Sequence, residues 1–313
     1  MTLTSIPDDS ILLYSIGPGD QPSEIRVELL GSIKSLETRY SSLCPIQVGG
    51  KTNLLAYDKN DGQLDAFELT RSSPWLRELS SSTINTGFDQ IEPFVLGNQH
   101  HLLCYNSKDG IFEFLSLTDE FSFSKPFRYF RDRGTDRTHG FTTVEPFDAL
   151  GKLGILAYNF DDGHVVIYDL KVRTTSPPGV PPLWMSPVWS HYWAQGWTRF
   201  AFFKFGGENF FLKTNVVRPN VNIDHILDDL SGTVPVGSHL TLEDADRLDI
   251  VRPLSLVDGA PHFITYEKTG RMTVNRIRSD CLGWTTVACF KSKESAGHVV
   301  PFNTGGTSLI LVS

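Results

Sequence analysis

Gly154-Ile155-Leu156-Ala157-Tyr158-Asn159, then Asp161-Asp162-Gly163, then Val165-Val166-Ile167-Tyr168-Asp169-Leu170 is the stretch that decides the fold. It is two apolar runs joined by an Asp-Gly turn. Glycine supplies the positive φ of a tight turn, and β-branched and aromatic residues favour the flanking strands, so it reads as a β-hairpin. The same pattern occurs at Asn53–Leu69, around Asn60-Asp61-Gly62, and at His101–Leu117, around Lys108-Asp109-Gly110. A weaker copy runs from Phe263 to Ile277 through Thr269-Gly270. Degenerate copies begin at Ile11 and Phe210, and a partial one, Ser308–Ser313, ends the sequence.

A further strand precedes most hairpins. Gly87-Phe88-Asp89-Gln90-Ile91-Glu92-Pro93-Phe94 matches Gly140-Phe141-Thr142-Thr143-Val144-Glu145-Pro146-Phe147. Another follows, as at Trp75–Leu79 and Trp284–Val287. The unit therefore holds four strands. Tyr14, Tyr57, Tyr105 and Tyr158 mark a period of about 43 to 53 residues, the period of a β-propeller blade. The expected fold is all-β: a six-bladed propeller of four-stranded blades, with seven blades as the alternative. Residues 1–313 read as one domain, closed by the last strand meeting the first ones.

Composition agrees. Among 313 residues, 40% are hydrophobic and 12% aromatic, enough for a sizeable core. The net charge of −8 argues against nucleic acid and anionic membranes as partners, because both require a basic patch. No apolar run is long enough to span a bilayer, and the first residues lack a basic, apolar leader. Cys44, Cys104, Cys281 and Cys289 have neither CxxC nor metal-finger spacing. The expected setting is the reducing cytoplasm. The pattern does not fix an oligomeric state.

Blade symmetry is broken in two places. At one position of the first strand, successive units carry Cys44, Glu92, Glu145, Ala201, Arg252 and Val300. Glu92, Glu145 and Arg252 are therefore candidates for a shared axial site, with the guanidinium binding an oxyanion and the carboxylates moving protons. Salt-bridged channel lining is the alternative. Arg199 shares their apparent strand parity and joins the candidates. So do His139 and His298, which lie at strand mouths and titrate near neutrality.

The second break is the Pro/Trp-rich insert at 174–198, which contains Trp184, Trp189, Tyr192, Trp193 and Trp197. It is expected to be an irregular aromatic wall over the central pocket, binding an apolar or aromatic small molecule. The alternatives are a satellite core on the propeller flank, or one face of a short helix. No HExxH, Gly-x-Ser-x-Gly or P-loop is present, and no acidic cluster suggests a metal or other cofactor.

The hairpin motif resembles that of fungal and bacterial propellers typified by fucose-specific lectins. Their sugar site recurs in each blade, whereas the first-strand position here varies. The (Val/Ile)-Glu-Pro-Phe strands at 91–94 and 144–147, these hairpins and the tryptophan block together resemble the fungal β-propeller hetero-Diels–Alderases of tropolone–sesquiterpenoid biosynthesis. That resemblance implies a cofactor-independent enzyme. It would eliminate water from a hydroxymethyl tropolone to give a quinone methide and steer its [4+2] addition to a humulene-type alkene. No catalytic residue is carried over from the family. The competing reading is a carbohydrate-binding lectin.

Overall fold

The computed structural model describes residues 10–19, 25–33, 40–70, 75–123, 127–129, 140–172, 183–218, 220–240, 247–256, 259–304 and 306–313. Its strands are built from the sequence units above. The chain opens with β1 (Ile11–Pro18) and β2 (Ile25–Ile33). The first complete blade is β3 (Ser42–Val48), β4 (Lys51–Tyr57), β5 (Gln63–Leu69) and β6 (Leu76–Thr83). The second is β7 (Gln90–Leu96), β8 (Gln99–Asn106), β9 (Ile111–Leu117) and β10 (Phe127–Tyr129). The third is β11 (Thr143–Ala149), β12 (Lys152–Tyr158), β13 (His164–Val172) and β14 (Leu183–Tyr192). The fourth is β15 (Trp197–Phe205), β16 (Glu208–Asn215), β17 (Asn220–Ile226) and β18 (Thr233–Leu240). The fifth is β19 (Leu248–Ser255), β20 (Pro261–Glu267), β21 (Arg271–Ile277) and β22 (Trp284–Lys291). The chain ends with β23 (Val299–Thr304) and β24 (Thr307–Val312).

All six sheets are four-stranded and antiparallel, and they form a six-bladed propeller. The sixth blade runs β23-β24-β1-β2, so both ends of the chain share it. Its seam pairs Leu12 with Val312 and Ile16 with Ser308. The Ser308–Ser313 copy is thus the second strand of the closing blade and opens no seventh. The Ile11 copy supplies that blade's third and fourth strands. Among the described residues there is no helix, hence none long and apolar enough to cross a membrane.

Two recurring sequence signals have specific structural causes. Gly62 and Gly163 have φ of 77° each, and a Cβ there would lie 2.2 Å from the Ile84 or Trp193 carbonyl oxygen. The outgoing fourth strand crosses directly over the hairpin turn, donating Ile84 N–H to Gly62 and Trp193 N–H to Gly163. Only glycine fits that contact and that φ. The period-marking tyrosine holds one blade to the next. Tyr158 Oη donates to the Ala194 carbonyl at 2.9 Å and accepts Trp197 N–H at 3.3 Å. Tyr57 does the same with Asn85 and Phe88, and Tyr266 with Lys293 and Ala296. Each satisfies backbone groups at a blade junction that would otherwise be orphaned. Between the blades, the rings and aliphatic side chains of neighbouring sheets interdigitate into apolar clusters.

Candidate functional site

The first strand of each blade is innermost, and these strands contact one another around the axis. Register places Cys44, Glu92, Glu145, Ala201, Arg252 and Val300 opposite Leu55, Leu103, Leu156, Leu212, Ile264 and Leu311 of their second strands. The six positions are structurally equivalent. Where the inner strands begin, a cavity of about 310 Å³ opens on the axis, and Cys44, Glu92, Glu145, Arg252, His298 and Val300 line it. The structure thus brings together four of the candidates, Glu92, Glu145, Arg252 and His298.

The electrostatics of this cavity follow from its depth. Desolvation raises Glu92 from an ordinary 4.5 to about 7, with nearby Arg252 opposing the shift. Desolvation raises Glu145 further, and the neighbouring charge of Glu92 adds to it while Arg252 again opposes. Two like-charged groups in one poorly solvated chamber resist ionising together. Arg252 is itself exposed and has no ion pair within 4 Å among the described residues. Its five donors are therefore available to a ligand. Burial lowers His298, and its Nε2 lies 3.1 Å from the Tyr40 carbonyl oxygen. A neutral ring donating from Nε2 presents Nδ1 as an acceptor. The Cys44 thiol is pushed well up by burial, with Glu92 adding to the effect, so it stays a neutral wall group.

The parity argument that placed Arg199 with them fails, because β15 carries a bulge. Thr198 pairs with Thr214 and Ala201 with Leu212, leaving Arg199 and Phe200 opposite the single residue Lys213. Arg199 sits at φ 49° and spends its guanidinium on the Asp249 carbonyl (Nε, 3.0 Å) and Thr198 Oγ1 (Nη1, 3.0 Å). Phe200 and Phe202, on either side of the buried Ala201, also line the cavity. The alignment of first strands missed these two rings because it took one position per blade, whereas flanking residues such as Ile91 and Pro93 line the cavity as well. His139 lies outside the described residues, as does the 174–182 part of the insert.

The described part of the tryptophan block is regular and peripheral, which corrects the expected irregular wall over the centre. Leu183–Tyr192 is the outermost strand of the third blade, paired along its length with β13. Trp184 and Tyr192 are exposed there. Trp189, Trp193 and Trp197 pack into the cluster between the third and fourth blades, so the block is flank core, and the tryptophans line no part of the axial cavity. They also enclose a group the sequence reading missed. Lys213 occupies a position held by Ala56, Cys104, Ala157 and Thr265 in other blades. Its Nζ lies 2.5 Å from Asp224 Oδ2, 3.5 Å from the Trp193 ring centroid and 4.8 Å from that of Trp197. Both charged side chains are almost wholly buried, at 4% and 2% exposure. Burial lowers the Lys213 pKa, and Asp224 opposes that shift. The one visible signal was a lysine directly after the apolar run Phe210-Phe211-Leu212, within the span of one strand.

Among the described residues, no group of three or more His, Cys, Asp or Glu side chains converges as a metal site. The described cysteines are all unpaired.

No protein-family model matches this chain, and no curated protein does. Solved structures do resemble it. A candidate 6-phosphogluconolactonase of Bacteroides fragilis matches with a TM-score of 0.52 at 14% identity, over 97% of this chain and 87% of that one. A Lactobacillus plantarum protein matches with a TM-score of 0.55 at 11% identity, over 93% and 85%. A candidate 6-phosphogluconolactonase of Bacteroides uniformis gives a TM-score of 0.54 at 12% identity, over 93% and 85%. At such identities the likeness is one of fold.

Proposed function

We propose that this propeller is a cofactor-independent enzyme of small-molecule metabolism, working in the cytoplasm as a hetero-Diels–Alderase on the axial cavity. One observation carries the reading. A near-symmetric scaffold places Glu92, Glu145 and Arg252 at equivalent positions around one chamber, with both carboxyls raised in pKa. Paired acids of unequal strength beside a cation suit acid–base work on an oxygen-bearing ligand.

The roles follow from charge. The planar guanidinium of Arg252 holds the vicinal oxygens of a tropolone. Glu145, whose carboxyl burial and the neighbouring Glu92 hold protonated, donates to the departing hydroxymethyl oxygen. The C–O bond breaks and water leaves with that proton. Glu92, ionised about half the time near pH 7, accepts the proton of the ring hydroxyl as the quinone methide forms. One proton returning from Glu92 to Glu145 resets the pair. Addition of the diene to an alkene then forms one C–C and one C–O bond with no proton transferred, so its acceleration comes from positioning. Phe200 and Phe202 shield the chamber from water that would re-add to the diene.

The test is turnover of a hydroxymethyl tropolone with humulene, followed by chiral chromatography. Wild-type rate is expected to follow a bell in pH, rising as Glu92 ionises near 7 and falling as Glu145, also raised from 4.5, loses its proton. Glu145→Gln is expected to slow turnover about 100-fold and remove the falling limb. Absence of any adduct, together with saturable binding of several fucose molecules per chain, would establish the lectin alternative instead. Hydrolysis of 6-phosphogluconolactone in place of adduct formation would move the chain to the activity named for two of its structural neighbours.

A further inference from the structure

The acid–base roles leave the mouth of the axial cavity unused. Residues two apart on a strand share a face, so the positions two before Glu92, Glu145 and Arg252 form a second tier, about 7 Å nearer the mouth. They are Gln90, Thr143 and Ile250, which stand opposite the tyrosines Tyr105, Tyr158 and Tyr266. Ser42, opposite Tyr57, is their counterpart in the first blade, and His298 stands two before Val300 in the sixth. Of this tier, Ser42, Gln90 and His298 line the cavity. They come from the first, second and sixth blades, whose inner strands adjoin around the axis.

Hydrogen bonds to the backbone fix what two of these side chains present. Gln90 Oε1 accepts the Val144 N–H at 2.6 Å, which only the carbonyl end of an amide can do. Its Nε2 is thereby left to the chamber as a donor, and no described residue takes it. His298 donates from Nε2 to the Tyr40 carbonyl, so its Nδ1 is an acceptor. Burial lowers the His298 pKa, the Tyr40 bond opposes that shift and the charge of Arg252 adds to it, so the ring stays neutral. The Ser42 hydroxyl makes no hydrogen bond among the described residues and can donate or accept. A fixed donor, a fixed acceptor and an adaptable hydroxyl together complement a neutral O–H, which donates to Nδ1 while accepting from Nε2. An anionic oxygen would meet the lone pair of His298, and a hydrocarbon would leave all three polar groups unpaired.

We infer that Ser42, Gln90 and His298 form a hydroxyl-binding subsite at the cavity mouth, so that the ligand carries an anionic oxygen at one end, held by Arg252, and a neutral hydroxyl at the other, held by this second tier. The inference rests on the reading of the charged tier as an oxyanion site. It adds a requirement on the substrate beyond its reacting oxygens.

The probes are 4-hydroxybenzoate and 4-methylbenzoate, which share a carboxylate and differ only in hydroxyl against methyl at the far end of the ring. Each is titrated into the full-length protein by calorimetry. Wild type is expected to bind the hydroxyl compound about tenfold more tightly, because the methyl compound leaves the polar groups of the mouth unpaired. His298→Gln, whose amide N–H can still donate to the Tyr40 carbonyl, is expected to erase that preference by weakening the hydroxyl compound alone. Gln90→Met is expected to do the same. Unchanged binding of the methyl compound in both variants separates the loss of a hydrogen bond from misfolding. Arg252→Met should weaken both compounds alike and keep their ratio. Equal binding of the two probes by wild type would overturn the inference, and it would leave the charged tier standing where both still depend on Arg252. A preference that survives both His298→Gln and Gln90→Met would also overturn it, since the hydroxyl would then be read elsewhere. So would the failure of wild type to bind either probe. A preference lost in those two variants, with affinity indifferent to Arg252, would support the hydroxyl subsite while removing the oxyanion role of Arg252.

Discussion

Arg252→Met is expected to lower turnover by about 100- to 1,000-fold, the usual cost of removing a donor aimed at a developing oxyanion. Stability near pH 5 should stay within about 0.5 kcal/mol of wild type, because Arg252 is exposed and holds no ion pair among the described residues. Its loss also removes the one influence that lowers both cavity carboxyls. The rising limb of the pH–rate profile should therefore move upward from about 7. The sign can be checked through stability. A carboxyl raised by folding binds its proton more tightly in the native state, so native stability declines as pH increases from about 4.5 through about 7. For Glu92 alone, that shift corresponds to roughly 2 to 3 kcal/mol once partial screening by channel water is allowed for. Glu92→Gln should remove this share of the decline and leave the share that belongs to Glu145. Chemical denaturation at pH 4 and pH 8 measures it.

The largest expected effect on stability lies away from the axis. Lys213→Met should destabilise the protein by about 3 to 5 kcal/mol, because it strands the Asp224 carboxylate at 2% exposure with no counter-charge. The loss is mainly the cost of the abandoned ion. The double variant Lys213→Met with Asp224→Leu is accordingly expected to recover most of it, since a buried ion pair is often no more stabilising than apolar residues of similar size. Some deficit should remain from the ammonium over Trp193. Urea unfolding of the three proteins decides between this and a purely packing role, in which the double variant would be worse than either single one.

These two sites differ in how far the sequence exposes them. Glu92, Glu145 and Arg252 were legible because four blades keep first-strand and second-strand positions in step throughout, and the fifth does so from Ile250 onward, so aligning the hairpins aligns the axial residues. Arg199 was misplaced for the complementary reason. The bulge opposite Lys213 adds one residue to β15, and a period-two pattern carries no mark of it. Lys213 and Asp224 meet only across paired strands, with a tryptophan from another blade closing the box.

The blade period followed from Tyr14, Tyr57, Tyr105 and Tyr158, and the hydroxyls of the last three tie blade junctions and therefore recur with the blade. The circular offset of the closing blade was less visible. A hairpin pattern does not distinguish second and third strands from third and fourth, and Ile11–Leu29 turned out to be the latter pair. The tryptophan block misled because clustered rings suggest a pocket. A fourth strand stands farthest from the axis, where rings close the gap between diverging blades.

The central claim is that Glu92 and Glu145 share a desolvated chamber governed by Arg252 and built to hold an oxygen-bearing ligand. Carboxyl carbon NMR on protein labelled at glutamate, titrated from acid to alkaline pH with and without tropolone, tests it most directly. The account predicts two carboxyls titrating well above 4.5, that of Glu92 near 7, both moving when tropolone is added and both higher in Arg252→Met. Two carboxyls titrating near an ordinary 4.5, indifferent to tropolone and to Arg252, would contradict it.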